Sequence, residues 1–141
     1  MTVIAPAILL NEYLKIRKIR NANYQNLTGD RRKIGLWEQI QFFLFKPKSI
    51  LVFVSFTDGK ISGYMLIKET DTAAFITEVV DEKYRGQGIA QKMIRDAQDH
   101  FPSIIAEIWK DNLPSIRLHE KMGFKLVEAS SQKLTYLWGK P

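Results

Sequence analysis

A glycine-rich turn at residues 84–90, Tyr-Arg-Gly-Gln-Gly-Ile-Ala, constrains this chain more than any other segment. It follows an apolar run typical of a strand and precedes residues 89–101, whose apolar positions repeat at helical spacing. The first N–H groups of a helix lack partners within it, and together with the positive end of the helix dipole they favour a phosphate. Gly86 and Gly88 lack Cβ atoms, so a ligand oxygen can approach the main chain closely. The turn therefore predicts a pyrophosphate-binding loop.

Two known phosphate-binding motifs fit this turn poorly. The Walker motif ends in Gly-Lys-Ser/Thr, whereas Gly88 is followed by Ile89 and Ala90. The dinucleotide fingerprint needs a third small residue where Gln91 stands, and an acidic residue about 20 positions later, a spacing that Glu107 satisfies. A nicotinamide site is therefore a competing hypothesis, although about 50 residues after the loop are too few for a full doubly wound sheet. A tight connection without a ligand is the other alternative.

A second segment carries a longer pattern. Asn112 is followed by Ser115 three residues later and then by residues 118–124, Leu-His-Glu-Lys-Met-Gly-Phe. Together with Arg85-x-x-Gly88-x-Ala90, this segment resembles the GNAT superfamily of acetyl-CoA-dependent N-acetyltransferases. The signatures of that family are Gln/Arg-x-x-Gly-x-Gly/Ala and, later, Asn-x-x-Ser/Ala with Leu-Tyr-Glu-Lys-x-Gly-Phe. The resemblance covers roughly residues 60–138.

The resemblance implies a fold and a cofactor. The fold is the GNAT fold of the α/β (α+β) class, a mixed, mostly antiparallel sheet of six to seven strands with about four helices on both faces. Residues 1–141 would form a single domain with acetyl-CoA as co-substrate, its pantetheine arm lying between the strand before the loop and the strand after the third helix. The cofactor-binding residues implied are Val79, Val80, Arg85, Gly86, Gln87, Gly88, Ile89, Ala90, Asn112 and Ser115. Asn112 is also a typical helix N-cap, and the two roles can coexist.

Acetyl transfer to an amine needs a deprotonated nitrogen, a polarised thioester carbonyl and a protonated leaving thiolate. The resemblance makes the amide of Val80 the donor to the carbonyl. Glu78 is the first candidate base, because it shares a strand face with Val80 and a carboxylate in an apolar strand is costly without a partner. Glu107 is the second candidate, and water can replace either carboxylate.

One residue departs from the family pattern. His119 stands where the family usually has the Tyr that is often assigned as the acid for the thiolate. A neutral imidazole donates one N–H and its cation gives up a proton near neutral pH, so His119 is the candidate acid, with a structural role as the alternative. His100 matches no motif, and we expect it at the exposed end of its helix.

Composition excludes several other chemistries. The chain has no cysteine, which excludes disulfides, cysteine metal ligands and a cysteine nucleophile, so transfer would be direct. No metal site is predicted. No apolar run reaches the roughly 18 residues of a membrane span, and the N-terminus lacks a basic region before its apolar residues, so a cytoplasmic location and no membrane partner are expected.

The formal charge of +6 leaves the partner open. Basic residues cluster at positions 15–20 and 31–33, which suits a solvated surface, coenzyme A phosphates or an anionic acceptor. The leading hypothesis is an N-acetyltransferase for a primary amine, either a small molecule such as an amino-sugar nucleotide or a protein N-terminal amine. A non-catalytic acyl-CoA-binding sensor or scaffold is the alternative, motivated by His119. Charge alone motivates a nucleic-acid binder, so no nucleic-acid partner is predicted, whereas a homodimer through the last strand is possible.

Periodicity and turn residues predict the elements along the chain. The apolar face of the second helix is predicted to be Leu36, Trp37, Ile40, Phe43 and Leu44. Helices are predicted over residues 8–21, 36–44 and 89–101 and after Asn112, with a loop around Thr28-Gly29-Asp30. Strands are predicted over residues 2–4, 50–56, 61–67, 73–80, 104–109, 124–127 and 134–138.

Overall fold

The computed structural model describes residues 1–29 and 32–141. Its strands are β1 (Thr2–Pro6), β2 (Ile50–Thr57), β3 (Lys60–Glu69), β4 (Ala74–Val80), β5 (Ser103–Trp109), β6 (Lys125–Ala129) and β7 (Lys133–Gly139). Its helices are α1 (Leu10–Ala22), α2 (Leu36–Phe45), α3 (Ile89–His100) and α4 (Leu113–Lys121), with 3₁₀ turns at Tyr24–Asn26 and Glu82–Tyr84. The predicted loop at 28–30 and the basic run at 31–33 each include a residue, Asp30 or Arg31, outside the described part.

The strands form one mixed sheet in the order β1-β2-β3-β4-β5-β7-β6. β4 and β5 are parallel, and the other neighbouring pairs are antiparallel. The predicted fold class is therefore confirmed, with seven strands and four helices. A doubly wound parallel sheet, on which the nicotinamide hypothesis depends, is not this fold. Among the described helices, none is both long and apolar enough to cross a bilayer.

Helices cover both faces of the sheet because β3 is apolar on both sides. Tyr64 packs with α1 residues Tyr13, Ile16 and Ile19. The next residue, Met65, packs in a second cluster that includes Met93 and Ile94 of α3. Since successive side chains of a strand point to opposite faces, α1 and α3 lie on opposite sides of the sheet.

The predicted packing face of α2 was only partly right, because Phe43 packs against Tyr13 of α1, at 5.1 Å between ring centroids, but other predicted positions are exposed. Leu36, Trp37 and Leu44 are 48%, 75% and 60% exposed. The buried position is instead Gln39, whose side-chain amide donates to the carbonyl of Tyr13 at 2.6 Å. Apolar residues occur all around this helix, so periodicity alone does not select the side that meets α1.

The predicted role of the last strand in a dimer was also wrong. β7 lies between β5 and β6, and both of its edges are paired. The free edges of the sheet belong to β1 and β6. The chain therefore adds its last strand inside the sheet, a topology that strand patterning does not reveal.

A gap opens beside the glycine-rich turn because β4 and β5 diverge. They pair only through Ala74 with Ile104 and Phe75 with Ile105. Beyond Phe75, β4 remains paired with β3 as far as Val80, while its other edge has lost its partner. This gap positions the candidate site.

Candidate active site

A cavity of about 480 Å³ occupies the gap between β4 and β5. This volume is within the range of small-molecule and cofactor sites. Twelve of the thirteen predicted site residues line it, and Gln87 does not. The twelve are Glu78, Val79, Val80, Arg85, Gly86, Gly88, Ile89, Ala90, Glu107, Asn112, Ser115 and His119.

The glycine-rich turn presents unpaired backbone donors to this cavity. Gly86 and Gly88 have φ of 77° and 78°, the left-handed conformation that favours glycine, and Gly88 is the N-cap of α3. The first helical bond into this turn is from Lys92 to the carbonyl of Gly88. Within the described residues, the N–H groups of residues 86–91 donate no hydrogen bond. Six donors at a helix N-terminus are thus available to an anion.

Strand pairing decides which main-chain groups of β4 face the gap. The N–H of Asp81 donates to the carbonyl of Ser62 at 2.8 Å. Since hydrogen-bonded pairs alternate along an antiparallel ladder, the next pair, Gly63 with Val80, is not hydrogen-bonded. The N–H and carbonyl of Val80 therefore point towards the gap, whereas those of Val79 point towards β3.

His119 lines the cavity but is buried, with only 2% of its side chain exposed. Its Nδ1 is 2.7 Å from the carbonyl oxygen of Ser115 and 3.3 Å from the hydroxyl Oγ of the same residue. Its Nε2 is 3.0 Å from Oε1 of Glu78. The ring also packs nearly perpendicular to the ring of Phe124, at 5.1 Å between centroids. The two side chains predicted as base and acid are therefore in direct contact.

The contact between Glu78 and His119 is close but not well aligned. At 3.0 Å it is an ion pair when the imidazole is charged. The carboxylate oxygen lies off the direction of an Nε2–H bond, so Nε2 makes no hydrogen bond of standard geometry. A buried polar atom with incomplete hydrogen bonding, beside a cavity, is typical of a functional group.

Opposing influences set the pKa of His119. Burial is the largest, and it lowers the pKa because it disfavours the cation. The charge of Glu78, the contact with its carboxylate and the Ser115 carbonyl all raise the pKa, and together they outweigh burial. The net result is a raised pKa, so the imidazole holds its second proton closer to neutral pH than an isolated histidine.

The other predicted residues occupy different parts of the cavity. Glu107 is exposed on β5, where it pairs with Thr135 of β7. Asn112 is the N-cap residue of α4, but its side chain makes no capping hydrogen bond, so the predicted capping by the side chain was wrong. His100 is exposed at the end of α3, as expected.

Sequence patterns missed the wall that the segment after α1 contributes. Asn23, Asn26, Leu27 and Thr28 line the cavity. Asn23 is buried, and its side chain accepts a hydrogen bond from the guanidinium of Arg85, which connects this segment to the glycine-rich turn. These residues carry no motif, and only the fold brings them opposite the turn.

Two side chains hold this segment against the sheet. The indole Nε1 of Trp109 donates to the carbonyl of Leu27 at 2.9 Å. Nζ of Lys133 donates to the carbonyl of Thr28 at 2.8 Å and lies 5.1 Å from the centroid of the Trp109 ring. Each bond satisfies a backbone carbonyl of an irregular segment, so the wall is fixed by β5 and β7.

Comparison with known proteins agrees with this geometry. A family model described as "Acetyltransferase (GNAT) family" matches residues 14–124. The chain belongs to this family. The family predicted from the two motifs is therefore confirmed, and the match includes most of α1 and all of α2, which the motifs did not cover.

Individual family members are more distant. Peptidyl-lysine N-acetyltransferase YiaC of Escherichia coli K12 is 29% identical over 80 residues, which are 57% of this chain and 53% of YiaC. The match thus spans about half the length of that relative. An N-acetyltransferase of Staphylococcus aureus Mu50 has a TM-score of 0.78 at 22% identity, over 99% of this chain and 98% of that chain. The yncA protein of Salmonella typhimurium, solved with its cofactor acetyl-CoA, has a TM-score of 0.74 at 17% identity, over 99% and 94%. At these identities the structures share the fold.

Metal binding has no support in the described part of the chain. No group of three or more His, Asp or Glu side chains there is arranged to hold an ion. The titratable groups that line the cavity are instead two carboxylates, one histidine, one arginine and one tyrosine.

Proposed function

We propose that this protein transfers an acetyl group from acetyl-CoA directly to a primary amine. The observation that carries the proposal is the row of six unpaired N–H groups at residues 86–91, beside an unpaired edge of β4, in a chain of the GNAT family. These donors suit a diphosphate, and the open edge suits an extended amide-containing chain such as pantetheine. The cavity of about 480 Å³ is large enough for the reacting end of both substrates.

The cofactor would lie along the gap from the turn to α4. The amides of Gly86 to Ala90 would hold the diphosphate, with Arg85 at the edge of the turn. The main-chain groups of Val80 would face the arm, because strand alternation directs them into the gap. Asn112 and Ser115 would contact the acetyl region from the start of α4, where the Asn112 side chain is not used as a cap.

The acceptor would enter between the α1–α2 segment and the end of β5. Two carboxylates, Glu78 and Glu107, line the cavity and would attract an ammonium group. Asn23, Asn26 and Thr28 offer polar side chains to the rest of the acceptor. This arrangement suits the amine of a peptide or a small molecule.

The chemistry divides among four groups. The amide of Val80 would polarise the thioester carbonyl as negative charge develops on its oxygen. Glu78 would accept the amine proton, and its contact with His119 favours it over the exposed Glu107, which would bind the incoming cation. His119 would supply the proton that the leaving sulfur needs.

Release of coenzyme A in the presence of an amine panel tests this function. The chain has no cysteine, so a thiol reagent detects only the coenzyme A that is released. The panel should include lysine-containing peptides, peptides with a free N-terminal amine, and amino-sugar nucleotides, each with matched N-acetylated controls. We expect amine-dependent release with at least one class and none with its acetylated control.

Calorimetry separates the alternatives. Heat of binding with acetyl-CoA and no thiol release with any amine would favour the non-catalytic sensor. No heat with millimolar acetyl-CoA would contradict both the transferase and the sensor.

A further inference from the structure

The contact between Glu78 and His119 has a chemical consequence beyond separate roles for an acid and a base. The carbonyl oxygen of Ser115 only accepts hydrogen bonds, and it lies 2.7 Å from Nδ1. Nδ1 therefore carries a hydrogen and donates it. This bond fixes both the tautomer and the orientation of the ring.

The protonation state of the site then depends on the other ring nitrogen, Nε2. If Nε2 were unprotonated, two acceptor atoms would lie 3.0 Å apart, Nε2 and the carboxylate oxygen of Glu78, and they would repel each other in a buried site. A proton on either atom removes this repulsion. The pair is thus most stable with one mobile proton.

Within the described residues, Glu78 is the charged side chain that shifts the pKa of His119. Glu78 approaches from β4 and Ser115 from the preceding turn of α4, and the Phe124 ring lies nearly perpendicular to the imidazole. The neighbouring carboxylate of Glu120 instead accepts a hydrogen bond from the hydroxyl of Tyr136.

We propose that Glu78 and His119 act as one acid–base unit that stores a single proton, gives it to the leaving sulfur and recovers it from the attacking amine. This proposal rests on the proposed function and refines its mechanism. Ser115 would be a positioning residue, acting through its carbonyl group.

The proton balance closes within one turnover. The neutral amine nitrogen forms a bond to the carbonyl carbon, and the carbon–sulfur bond breaks with its electron pair on sulfur. Sulfur takes the stored proton and becomes the thiol of coenzyme A. The nitrogen, now part of the amide, loses one proton to the emptied pair. The pair thus returns to its starting state.

The tautomer of His119 tests the pair without any activity measurement. The chain has only two histidines, so the variant His100→Gln leaves a single imidazole in a ¹⁵N-histidine NMR spectrum. We expect Nδ1 to stay protonated throughout, Nε2 to titrate, and Glu78→Gln to move that titration to lower pH. A neutral ring protonated at Nε2, or a titration unchanged by Glu78→Gln, would overturn the proposal.

A double-mutant cycle tests whether the two side chains act as one unit. We expect Glu78→Gln and His119→Gln each to lower kcat by about 10²-fold or more, and the double variant to be no slower than the slower single variant. Losses that multiply would overturn the unit and leave two separate roles. Parental kcat in both single variants would overturn any role for the pair. His100→Gln is the matched control and should retain parental kcat.

The acetyl-CoA affinity of each variant and the activity of the parent enzyme together distinguish failure of the shared-proton unit from failure of the proposed function. Acetyl-CoA affinity, measured by calorimetry on each variant, should change less than threefold, because the pair is not placed at the diphosphate. If the parent enzyme itself neither binds acetyl-CoA nor releases coenzyme A, the proposed function fails. If the parent is active and the losses multiply, only the shared-proton unit fails. If His119→Gln does not fold, the NMR comparison with Glu78→Gln decides the question.

Discussion

Gly63 on β3 lies against the carbonyl group of Val79 on β4, and a Cβ atom at position 63 would be 2.6 Å from that oxygen. Such a Cβ would also lie 3.3 Å from Cα of Val80. Both neighbours are backbone atoms of the strand that borders the cavity, so they move only if the strand moves. The close approach of β3 therefore determines where β4 presents its free edge.

Gly63→Ala should displace β4 and weaken both stability and cofactor binding. Overpacking of this kind costs about 1–3 kcal/mol of unfolding free energy. Urea denaturation and acetyl-CoA calorimetry measure the two effects. Gly139→Ala is the matched strand control, because its Cβ would meet no atom within 4 Å, and it should leave both quantities near parental values. Equal effects in the two variants would contradict the importance of this contact.

Gly88→Ala should separate backbone strain from ligand contact. Gly88 has φ of +78° and Gly59, in the β2–β3 turn, has φ of +81°, and neither would place a Cβ within 4 Å of another group. Both alanine variants should lose about 1 kcal/mol of stability from left-handed strain. Only Gly88→Ala should also weaken acetyl-CoA binding, by at least tenfold in Kd, because its Cβ enters the space proposed for the diphosphate. Comparable loss of affinity in both variants would argue against that placement.

Much of this fold could be predicted from local patterns. Glycines 86 and 88 marked the strand-to-helix turn, and Gly123 adopts the positive φ of 90° expected after a helix. These features depend on a few neighbouring residues, so they can be predicted from the local sequence. The position of β7 between β5 and β6 depends on long-range pairing instead, and the packing face of α2 depends on α1.

The residues of the candidate site that belong to a motif were predicted from the sequence. Those that only tertiary packing brings to the site were missed. The turn and α4 carry motif residues, and both line the cavity. Asn23 and Leu27 reach it only because Arg85 and Trp109 bind them across the fold. Similarly, Glu78 and His119 were separate candidates in sequence, and their contact depends on how α4 packs beside β4.

The stability of the protein should depend on pH through His119. The ordinary pKa of His119 is 6.5, and folding raises it. The stability that protonated His119 adds to the folded state is therefore fully present below pH 6.5 and is lost as pH rises through the folded pKa. In Glu78→Gln, burial becomes the largest remaining influence and lowers the pKa. That variant should instead gain stability as pH rises towards about 6.5. Thermal unfolding across this pH range measures the difference.

His100→Gln serves as the control for that experiment. Its side chain is exposed, and it should keep the pH dependence of the parent. The same pH dependence in the parent and in Glu78→Gln would contradict the ion pair.

Trp109→Phe should affect the acceptor more than the cofactor. The variant removes the hydrogen bond from Nε1 to the carbonyl of Leu27, a loss of about 1 kcal/mol, and loosens the α1–α2 segment. The KM for the amine should rise severalfold, while the Kd for acetyl-CoA stays within twofold. Trp37→Phe is the control, because that side chain is 75% exposed on α2. A larger change in acetyl-CoA affinity than in amine KM would place the acceptor elsewhere.

Backbone amide NMR during a coenzyme A titration tests whether residues 86–91 bind the diphosphate. We expect the amide signals of residues 86–91 to shift on saturation with coenzyme A and to shift little with pantetheine, which has no diphosphate. Saturable binding of coenzyme A that leaves these signals unmoved, or no binding at millimolar concentration, would contradict this expectation.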